Sequence, residues 1–364
     1  MQRAQLTIGV VVHNEVQHLP RLLQNLENIV GAHEADIIFV DNASTDSTLA
    51  RIEHWSAQQE NRNIQIIARL RNNLALARND VIHKTQTKWL FFWDADCGMN
   101  RDSWERHLEI LQSNVIHENV AAIGGGNSAQ GPKSFLVSGL QSMSRNWISH
   151  MGSLQLRHPS KVEEVSVLSG CNMLIRTQAA IQVDGCDSWF HPVGEDLSLC
   201  HRLTKAGWVL LAAPNLEIDH YQNQTVISWM EKMFAYGLAQ VQIATQYPQH
   251  FKGLRGAQCL AVILLAFASV LTPLLVLSLF AIYTLAYVTL AVKNGPRSIH
   301  YIFCGWALSF LSHLAYATGE VYALTSWLYC KFSPTYQGRS RIVKEQKTTQ
   351  ALVPDPIVNH EISP

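Results

Sequence analysis

Short apolar runs alternate with helical patterns over the first hundred residues of the chain. Runs rich in β-branched and aromatic residues predict buried strands at residues 6–12, 37–40, 64–67 and 89–93. Between them, apolar positions recur at helical spacing, as in residues 19–26. This alternation predicts an α/β fold with a mostly parallel sheet that is covered by helices on both faces.

The pattern becomes less regular after the fourth strand. Asp102 and Glu105 have the spacing of a capping box, which predicts the start of a fourth helix. Gly207 is placed to end a later helix. The elements predicted in this part are strands at 165–168, 173–175 and 208–212 and a helix at 195–206.

Polar side chains follow three of the predicted strands. They are Asn14 and Glu15 after the first strand, Asp41 and Asn42 after the second, and Asp94 and Asp96 after the fourth. Each alone is an ordinary turn residue. Because ligands of such sheets bind at the carboxyl ends of the strands, together they indicate a binding site at that edge.

Two acidic pairs are candidates for chemistry. Asp94 and Asp96, spaced by one residue at a strand end, can hold a hard divalent cation that keeps positions open for phosphate oxygens. Glu195 and Asp196 open a predicted helix. Acids there either complement the helix dipole or serve as a general base, and the sequence leaves both interpretations open.

Five blocks of sequence, in order, resemble the family 2 glycosyltransferases over about residues 6–225. They are VVVHNE at 10–15, VDNASTDST at 40–48, RNNLALARN at 71–79, FWDAD at 92–96, and GEDL at 194–197 followed by Arg202 and Gly207. Two positions depart from the family pattern: Asn73 stands for a Gly and Arg71 for an Asn. The Gln-x-x-Arg-Trp motif of processive synthases is absent.

The resemblance implies a GT-A fold, inversion at the anomeric carbon and a nucleotide-sugar donor, with a UDP-sugar expected. It also implies a bound divalent metal, Mg²⁺ or Mn²⁺. The implied roles are the nucleotide base for Asp41 with Asn14 and Glu15 nearby, the nucleotide for Arg78, the ribose or donor sugar for Asp94, the metal for Asp96, and the general base for Asp196 with Glu195 in support. His220 is either a further metal or phosphate contact or a structural histidine.

The composition also predicts membrane-spanning segments. Charged residues are only 15% of the 364, and none lies between residues 257 and 292. As one helix that stretch would be about 54 Å long, so it predicts two short spans around Pro273, with residues 299–328 as a third apolar stretch. A pair of buried core helices is the alternative. The formal net charge of zero suggests no nucleic-acid partner.

These observations predict four segments. They are a catalytic domain at 1–225, an amphipathic interfacial segment at 226–255, a transmembrane region at 256–330 and a polar, disordered tail at 331–364. The segment from Trp229 to Gly237 is similar to one in bacterial exopolysaccharide glycosyltransferases of the succinoglycan type. The N-terminus lacks the apolar core of a signal peptide, so the catalytic domain is expected in the cytoplasm, at the bacterial inner membrane.

The sequence thus favours an inverting glycosyltransferase that acts on a lipid-linked or membrane-bound glycan or lipid. A polyprenyl-phosphate glycosyltransferase and a non-catalytic membrane scaffold that binds nucleotide sugars stay open as alternatives. The seven cysteines form no Cys-x-x-Cys pair, which argues against a disulfide framework or a zinc site.

Overall fold

The structure is a computed structural model that describes residues 6–31, 34–144, 160–190, 193–221, 224–246, 273–294, 298–332 and 358–359. The chain falls into two compact units. The first comprises Met1–Asn223 with Ile357–Pro364, and the second comprises Gln224–Pro356. The four predicted segment boundaries stay predictions.

The first unit alternates strands and helices along most of its length. Its strands are β1 (Leu6–Val12), β2 (Asp36–Asp41), β3 (Ile64–Ala68), β4 (Trp89–Trp93), β5 (Cys97–Gly98), β6 (Val120–Gly124), β7 (Asn127–Gln130), β8 (Glu163–Glu164), β9 (Asn172–Arg176), β10 (Val209–Ala212), β11 (Ile218–Tyr221) and β12 (Val358–Asn359). Its helices are α1 (Leu19–Asn28), α2 (Thr48–Ser56), α3 (Leu74–Lys84), α4 (Arg101–Gln112), α5 (Phe135–Met143), α6 (Thr177–Gln182) and α7 (Glu195–Lys205).

The strands form two sheets. The larger has nine strands in the order β12-β3-β2-β1-β4-β9-β6-β10-β8, and the smaller has the order β5-β11-β7. β1 pairs in parallel with β2 and β4, whereas β9 runs antiparallel between β4 and β6. The prediction of a mostly parallel α/β sheet is confirmed.

Two apolar clusters fill the spaces on the two faces of the large sheet. One joins alternate residues of β1 to α1, α2 and α4, and the other joins β4 and β6 to α3, α6 and α7. Helix α3 comes so close to β1 that a Cβ on Gly9 would lie 2.3 Å from Cγ1 of Val81. Helices therefore cover both faces, as predicted from the alternation of patterns.

Two local predictions are wrong. Helix α4 starts after Asn100, whose Oδ1 accepts the N–H of Ser103 at 2.8 Å, so Asp102 lies in the first turn and forms no capping box. Residues 165–168 are not a strand: the strand that pairs with β10 is the preceding β8, and Val165 adds one backbone hydrogen bond, its N–H donating to the carbonyl oxygen of Leu210 at 2.9 Å. The helix after Gly194 and its stop at Gly207, with φ of +90°, follow the prediction.

In the second unit, the described helices are α8 (Val226–Gln246), α9 (Pro273–Asn294) and α10 (Ile299–Phe332). α8 and α10 pack at two glycines: a Cβ on Gly237 would lie 2.0 Å from the carbonyl oxygen of Tyr316, and one on Gly319 would lie 2.2 Å from that of Phe234. Among the described residues, we find no helix with both the length and the apolar character needed to cross a membrane. Residues 257–272 of the predicted spans lie outside the described part, so the spans stay a prediction.

Candidate functional site

The loop after β2 is built around two polar side chains from neighbouring strand ends. Oδ1 of Asn14 accepts the N–H of Thr45 at 2.8 Å, and Oδ2 of Asp41 accepts that of Ser44 at 3.1 Å. Asn14 itself has a positive φ of 56°. The parallel pairing of β1 with β2 brings these two predicted site residues to one edge.

The second carboxylate oxygen of Asp41 is a buried acceptor. Asp41 is only 3% exposed, and within the part of the chain that the structure describes its Oδ1 has no hydrogen-bond partner. A buried oxygen without a donor is unfavourable by about 1–3 kcal/mol. Such an oxygen is therefore ready to accept a hydrogen bond from a ligand.

Arg78 joins the two acidic pairs that the sequence singled out. It lies on α3 and is 4% exposed, with Nη2 3.3 Å from Oδ1 of Asp94 and Nη1 3.1 Å from Oε1 of Glu195. Its guanidinium carbon lies 5.2 Å from the ring centre of Phe92. Burial lowers the pKa of Arg78, but the charges of Glu195, Asp94 and Asp196 outweigh it and raise the pKa above its ordinary value.

A glycine completes the space around this arginine. A Cβ on Gly170 would lie 2.0 Å from Nη1 of Arg78. The backbone N–H of the same glycine donates to Oδ2 of Asp196 at 3.0 Å. The loop before β9 therefore touches both the guanidinium and the second acid of the pair that opens α7.

The two acids at the start of α7 differ in environment. Glu195 is buried, and burial raises its pKa to about 7 although the charge of Arg78 lowers it. Asp196 is half-buried, with Oδ1 accepting the N–H of Leu197 at 2.7 Å. Of the pair, Asp196 is the one that solvent or a bound molecule can reach.

His220 and Asp96 form the other contact of the site. Nε2 of His220, on β11, lies 2.9 Å from Oδ2 of Asp96. The small sheet places it there, because the N–H of Tyr221 also donates to the carbonyl oxygen of Asp96 at 2.8 Å. The sequence named His220 as a candidate but gave no reason for this pairing.

Carboxylates crowd together at this edge. Burial raises the pKa of Glu15 to about 7, with further increases from the charges of Asp96, Asp94 and Asp46. The nine predicted site residues thus lie in one region of the first unit, linked by contacts or by charge. Its surplus of negative charge and its oxygen donors suit a divalent cation.

Sequence reasoning missed three neighbours of the Asp-x-Asp motif. Burial lowers the pKa of His18, against an opposing effect of Asp96. Sulfur atoms of Cys97 and Cys171 and a ring nitrogen of His220 all lie within 4.8 Å of one another. Cysteines that are far apart in sequence and lack Cys-x-x-Cys spacing give no signal of such a cluster.

Residues 7–183 match the family model described as Glycosyl transferase family 2. This segment, just under half of the chain, is similar to the family 2 glycosyltransferases. The chain is 26% identical over 326 residues to the pre-mycofactocin glycosyltransferases of two Mycobacterium tuberculosis strains, covering 87% of this chain and 62% of each relative. The chain therefore spans about three fifths of the length of these curated relatives.

A solved structure supports the glycosyltransferase fold. The mannosyltransferase PcManGT of Pyrobaculum calidifontis, solved in complex with GDP-Man and Mn²⁺, superposes with a TM-score of 0.59 at 15% identity and 88% coverage of both chains. At that identity the likeness shows the fold alone, a GT-A-like α/β fold. The family match over residues 7–183 and this fold are consistent with the predicted glycosyltransferase.

Proposed function

We propose that the chain is a metal-dependent, inverting glycosyltransferase that transfers a sugar from a nucleotide-sugar donor, first of all a UDP-sugar, to a membrane-associated or lipid-linked acceptor. One observation carries the proposal: Arg78 holds Asp94 of the Asp-x-Asp motif and Glu195 of the Glu-Asp pair, 3.3 and 3.1 Å away. A single buried cation therefore joins the group expected at the donor to the group expected at the acceptor.

The donor base is assigned to the loop after β2. Oδ1 of Asp41, buried and without a partner among the described residues, would accept an N–H from the base. Asn14 holds the loop by accepting the N–H of Thr45. A base with an N–H donor at its recognition edge, such as uracil, would satisfy the oxygen of Asp41.

The metal is assigned to Asp96 and His220, with Asp94 and Glu15 close by. Carboxylate oxygens and an imidazole nitrogen suit Mn²⁺, and oxygens alone suit Mg²⁺. The raised pKa of Glu15, caused by burial and by these aspartates, is the mark of a site with unbalanced negative charge. When bound, the metal supplies stabilisation of the charge that develops on the leaving nucleoside diphosphate.

The acid and base roles follow from exposure. Asp196 is half-buried and can face an acceptor hydroxyl, whose proton it would take as the hydroxyl attacks the anomeric carbon from the side opposite the leaving group. Glu195 is buried against Arg78, so we assign it a positioning role. Arg78 in turn would fix Asp94 next to the donor.

The acceptor is the least constrained part of the proposal. The uncharged stretch at 257–292 supports an acceptor that is itself membrane-bound. The M. tuberculosis relatives are named for pre-mycofactocin, so pre-mycofactocin belongs in the acceptor panel. The same uncharged stretch supports an enzyme that works at a cell membrane, and the cytoplasmic face stays the prediction made from the sequence.

The test is donor turnover. The full chain is incubated with Mn²⁺ or Mg²⁺ and a panel of UDP- and GDP-sugars, and nucleoside diphosphate release is measured with and without acceptors. We expect metal-dependent release with one donor, and a loss of about 100-fold or more for Asp96→Ala and for Asp196→Asn. Asp36→Asn, at the opposite end of β2, is the matched control and should retain full activity.

The outcomes separate the assignments. Release that survives Asp96→Ala would overturn the metal role of Asp96. Transfer that survives Asp196→Asn with a phosphate acceptor would contradict a general base and favour polyprenyl phosphate as the acceptor, because a phosphate oxygen needs no base. A protein that binds UDP with Mn²⁺ but turns over no donor with any acceptor would favour the scaffold.

A further inference from the structure

Two cysteines from distant parts of the sequence meet His220 beside the Asp-x-Asp motif. One ligand atom from each of Cys97, Cys171 and His220 lies within 4.8 Å of the other two. The pairing of β5 with β11 sets Cys97 opposite His220, and Cys171 directly precedes β9. All three side chains are buried. Two sulfur donors and one nitrogen donor therefore surround one point in the fold.

Asp96 contacts two members of this cluster but is not one of its three mutually close donors. Its Oδ2 lies 2.9 Å from Nε2 of His220, and its Oδ1 lies 3.6 Å from Sγ of Cys97. The Asp96 side chain is 32% exposed, so the cluster reaches the surface at this carboxylate. A small cation can thus arrive without unfolding of the domain.

The donor set has the chemistry of a zinc site. Zinc in proteins takes cysteine sulfur, histidine nitrogen and carboxylate oxygen as ligands, either four of them or three with a water in the fourth position. Mg²⁺ prefers oxygen ligands, and thiolates select zinc over it. Mn²⁺ binds a given site more weakly than Zn²⁺ does.

Two polar side chains contact the sulfur of Cys171. Nδ2 of Asn127 donates to Sγ of Cys171 at 3.0 Å, and Oγ of Ser169 lies 3.1 Å from the same sulfur, where either atom can be the donor. A hydrogen bond such as that from Asn127 orients a metal-bound sulfur and tunes its affinity for the ion.

We propose that Cys97, Cys171 and His220 form a zinc-binding site beside Asp96 and that zinc bound there inhibits sugar transfer. Each thiol that binds loses its proton, so an S–Zn bond replaces an S–H bond and up to two protons are released per ion. The inhibition rests on the proposed function, because His220 and its neighbour Asp96 are the side chains assigned to the donor metal. Zinc would take His220 from Asp96 and so compete with Mn²⁺.

Binding is tested without any sugar donor. The full chain, purified without a histidine tag, kept reduced with a phosphine and stripped of metal, is titrated with Zn²⁺ against a chromogenic chelator. Co²⁺ serves as the spectroscopic probe. We expect one equivalent of zinc, proton release into a weak buffer, and a thiolate-to-cobalt charge-transfer band.

Three variants locate the site. Cys97→Ala and Cys171→Ala should each weaken zinc binding by more than about 100-fold and remove intensity from the cobalt band, whereas Asn127→Ala should weaken binding by about 10–100-fold. Cys186→Ala is the matched control, since Cys186 is a buried cysteine outside the cluster, and it should bind zinc like the wild type. Circular dichroism checks that each variant is folded.

Several results would overturn the site. Zinc binding that is unchanged in Cys171→Ala, or a cobalt spectrum without a charge-transfer band, would exclude cysteine ligands. Isolation of a Cys97–Cys171 disulfide in a protein whose reduced form binds no zinc would make the pair a redox couple instead.

Inhibition is tested separately, by transfer with Mn²⁺ in zinc-buffered solutions. We expect zinc to inhibit the wild type and the Cys186→Ala variant at the same concentration. Inhibition of Cys97→Ala should need more zinc, and the increase should match the factor by which this variant loses zinc affinity. If zinc binds the wild type without inhibiting it, the proposed inhibition of sugar transfer by zinc is wrong. Absence of transfer under every condition would contradict the proposed function and the inhibition with it, while the binding result would stand.

Discussion

At the scale of single residues, Arg78 is the side chain on which the site depends most. A buried guanidinium with planar, fixed donors can hold two carboxylates that would otherwise repel each other. Here it faces Asp94 and Glu195 and packs over Phe92. The predicted contact of Arg78 with the nucleotide stays a prediction, and the contacts of this side chain, which is 4% exposed, are with the two acids.

Replacing this arginine should be strongly destabilising. In Arg78→Met the buried Glu195 loses its partner, and removal of one member of a buried ion pair costs about 3–5 kcal/mol. Adding Glu195→Gln should recover part of that loss, because the second change removes the unpaired charge. Urea unfolding of the wild type, both single variants and the double variant measures the coupling energy. Additive effects of the two changes would show that the pair contributes nothing to stability.

At the scale of elements, helix α4 shows where a motif misleads. The capping-box spacing of Asp102 and Glu105 predicted the helix correctly but misplaced its start, because Asn100 lies two residues upstream and is itself a good N-cap. Asn100→Ala should lower the free energy of unfolding by about 1 kcal/mol, whereas Asp102→Ala should change it by less than about 0.5 kcal/mol. Chemical denaturation of the two variants decides this. A larger loss of unfolding free energy for Asp102→Ala than for Asn100→Ala would support the capping box.

The same helix carries a buried titratable group, His107. Its ring nitrogens lie 2.7 Å from the carbonyl oxygen of Ser103 and 3.1 Å from Oδ1 of Asn172. Burial lowers the pKa of His107, and the two hydrogen bonds only partly oppose it. The folded state therefore binds fewer protons here than the unfolded chain, whose histidines titrate near about 6.5.

The lowered pKa of His107 predicts that the folded state loses stability in acid. The contribution of His107 is present above about pH 6.5 and is lost as the pH falls below it, by up to about 1.4 kcal/mol per pH unit for one proton. The free energy of unfolding, measured with urea between about pH 5 and 8, should change less steeply with pH for His107→Gln than for the wild type. His83→Gln, at an exposed position on α3, is the control and should keep the wild-type slope. Equal slopes in all three proteins would contradict the assignment.

The strands that carry the donor side of the site were predictable, and the strands that complete it were not. β1 to β4 are short apolar runs rich in β-branched and aromatic residues, which favour strands, so the positions of Asn14, Asp41 and Asp94 at their ends followed. β5, β7 and β11 have two to four residues each and are defined by their pairing with one another. A local pattern contains no trace of that pairing, which brings Cys97 to His220.

At the scale of the whole molecule, the unit that carries the proposed site is followed by a second unit whose sequence includes an uncharged stretch at 257–292. In α9 the large side chains of Leu279, Phe280, Ile282 and Leu285 are exposed, the last two by 62% and 69%. Scattered exposed apolar residues are ordinary, but several on one helix mark a surface that meets a partner or a lipid phase. Together with the uncharged stretch at 257–292, they make membrane association the property to test.

We expect the full chain to sediment with lipid vesicles made of neutral and anionic phospholipids. Burial of a large apolar side chain is worth about 1.5–3 kcal/mol, so the double change Ile282→Asp and Leu285→Asp should lower the bound fraction by about tenfold or more. Ile181→Asp removes an apolar side chain that is also exposed, by 50%, but lies in the first unit, and it should bind vesicles like the wild type. Circular dichroism confirms that each variant is folded. A wild-type protein that stays in the supernatant at every lipid composition would contradict the proposed membrane association. The acceptor would then have to be sought among soluble molecules, because the exposed apolar residues of α9 and the uncharged stretch at 257–292 are what support a membrane-bound one.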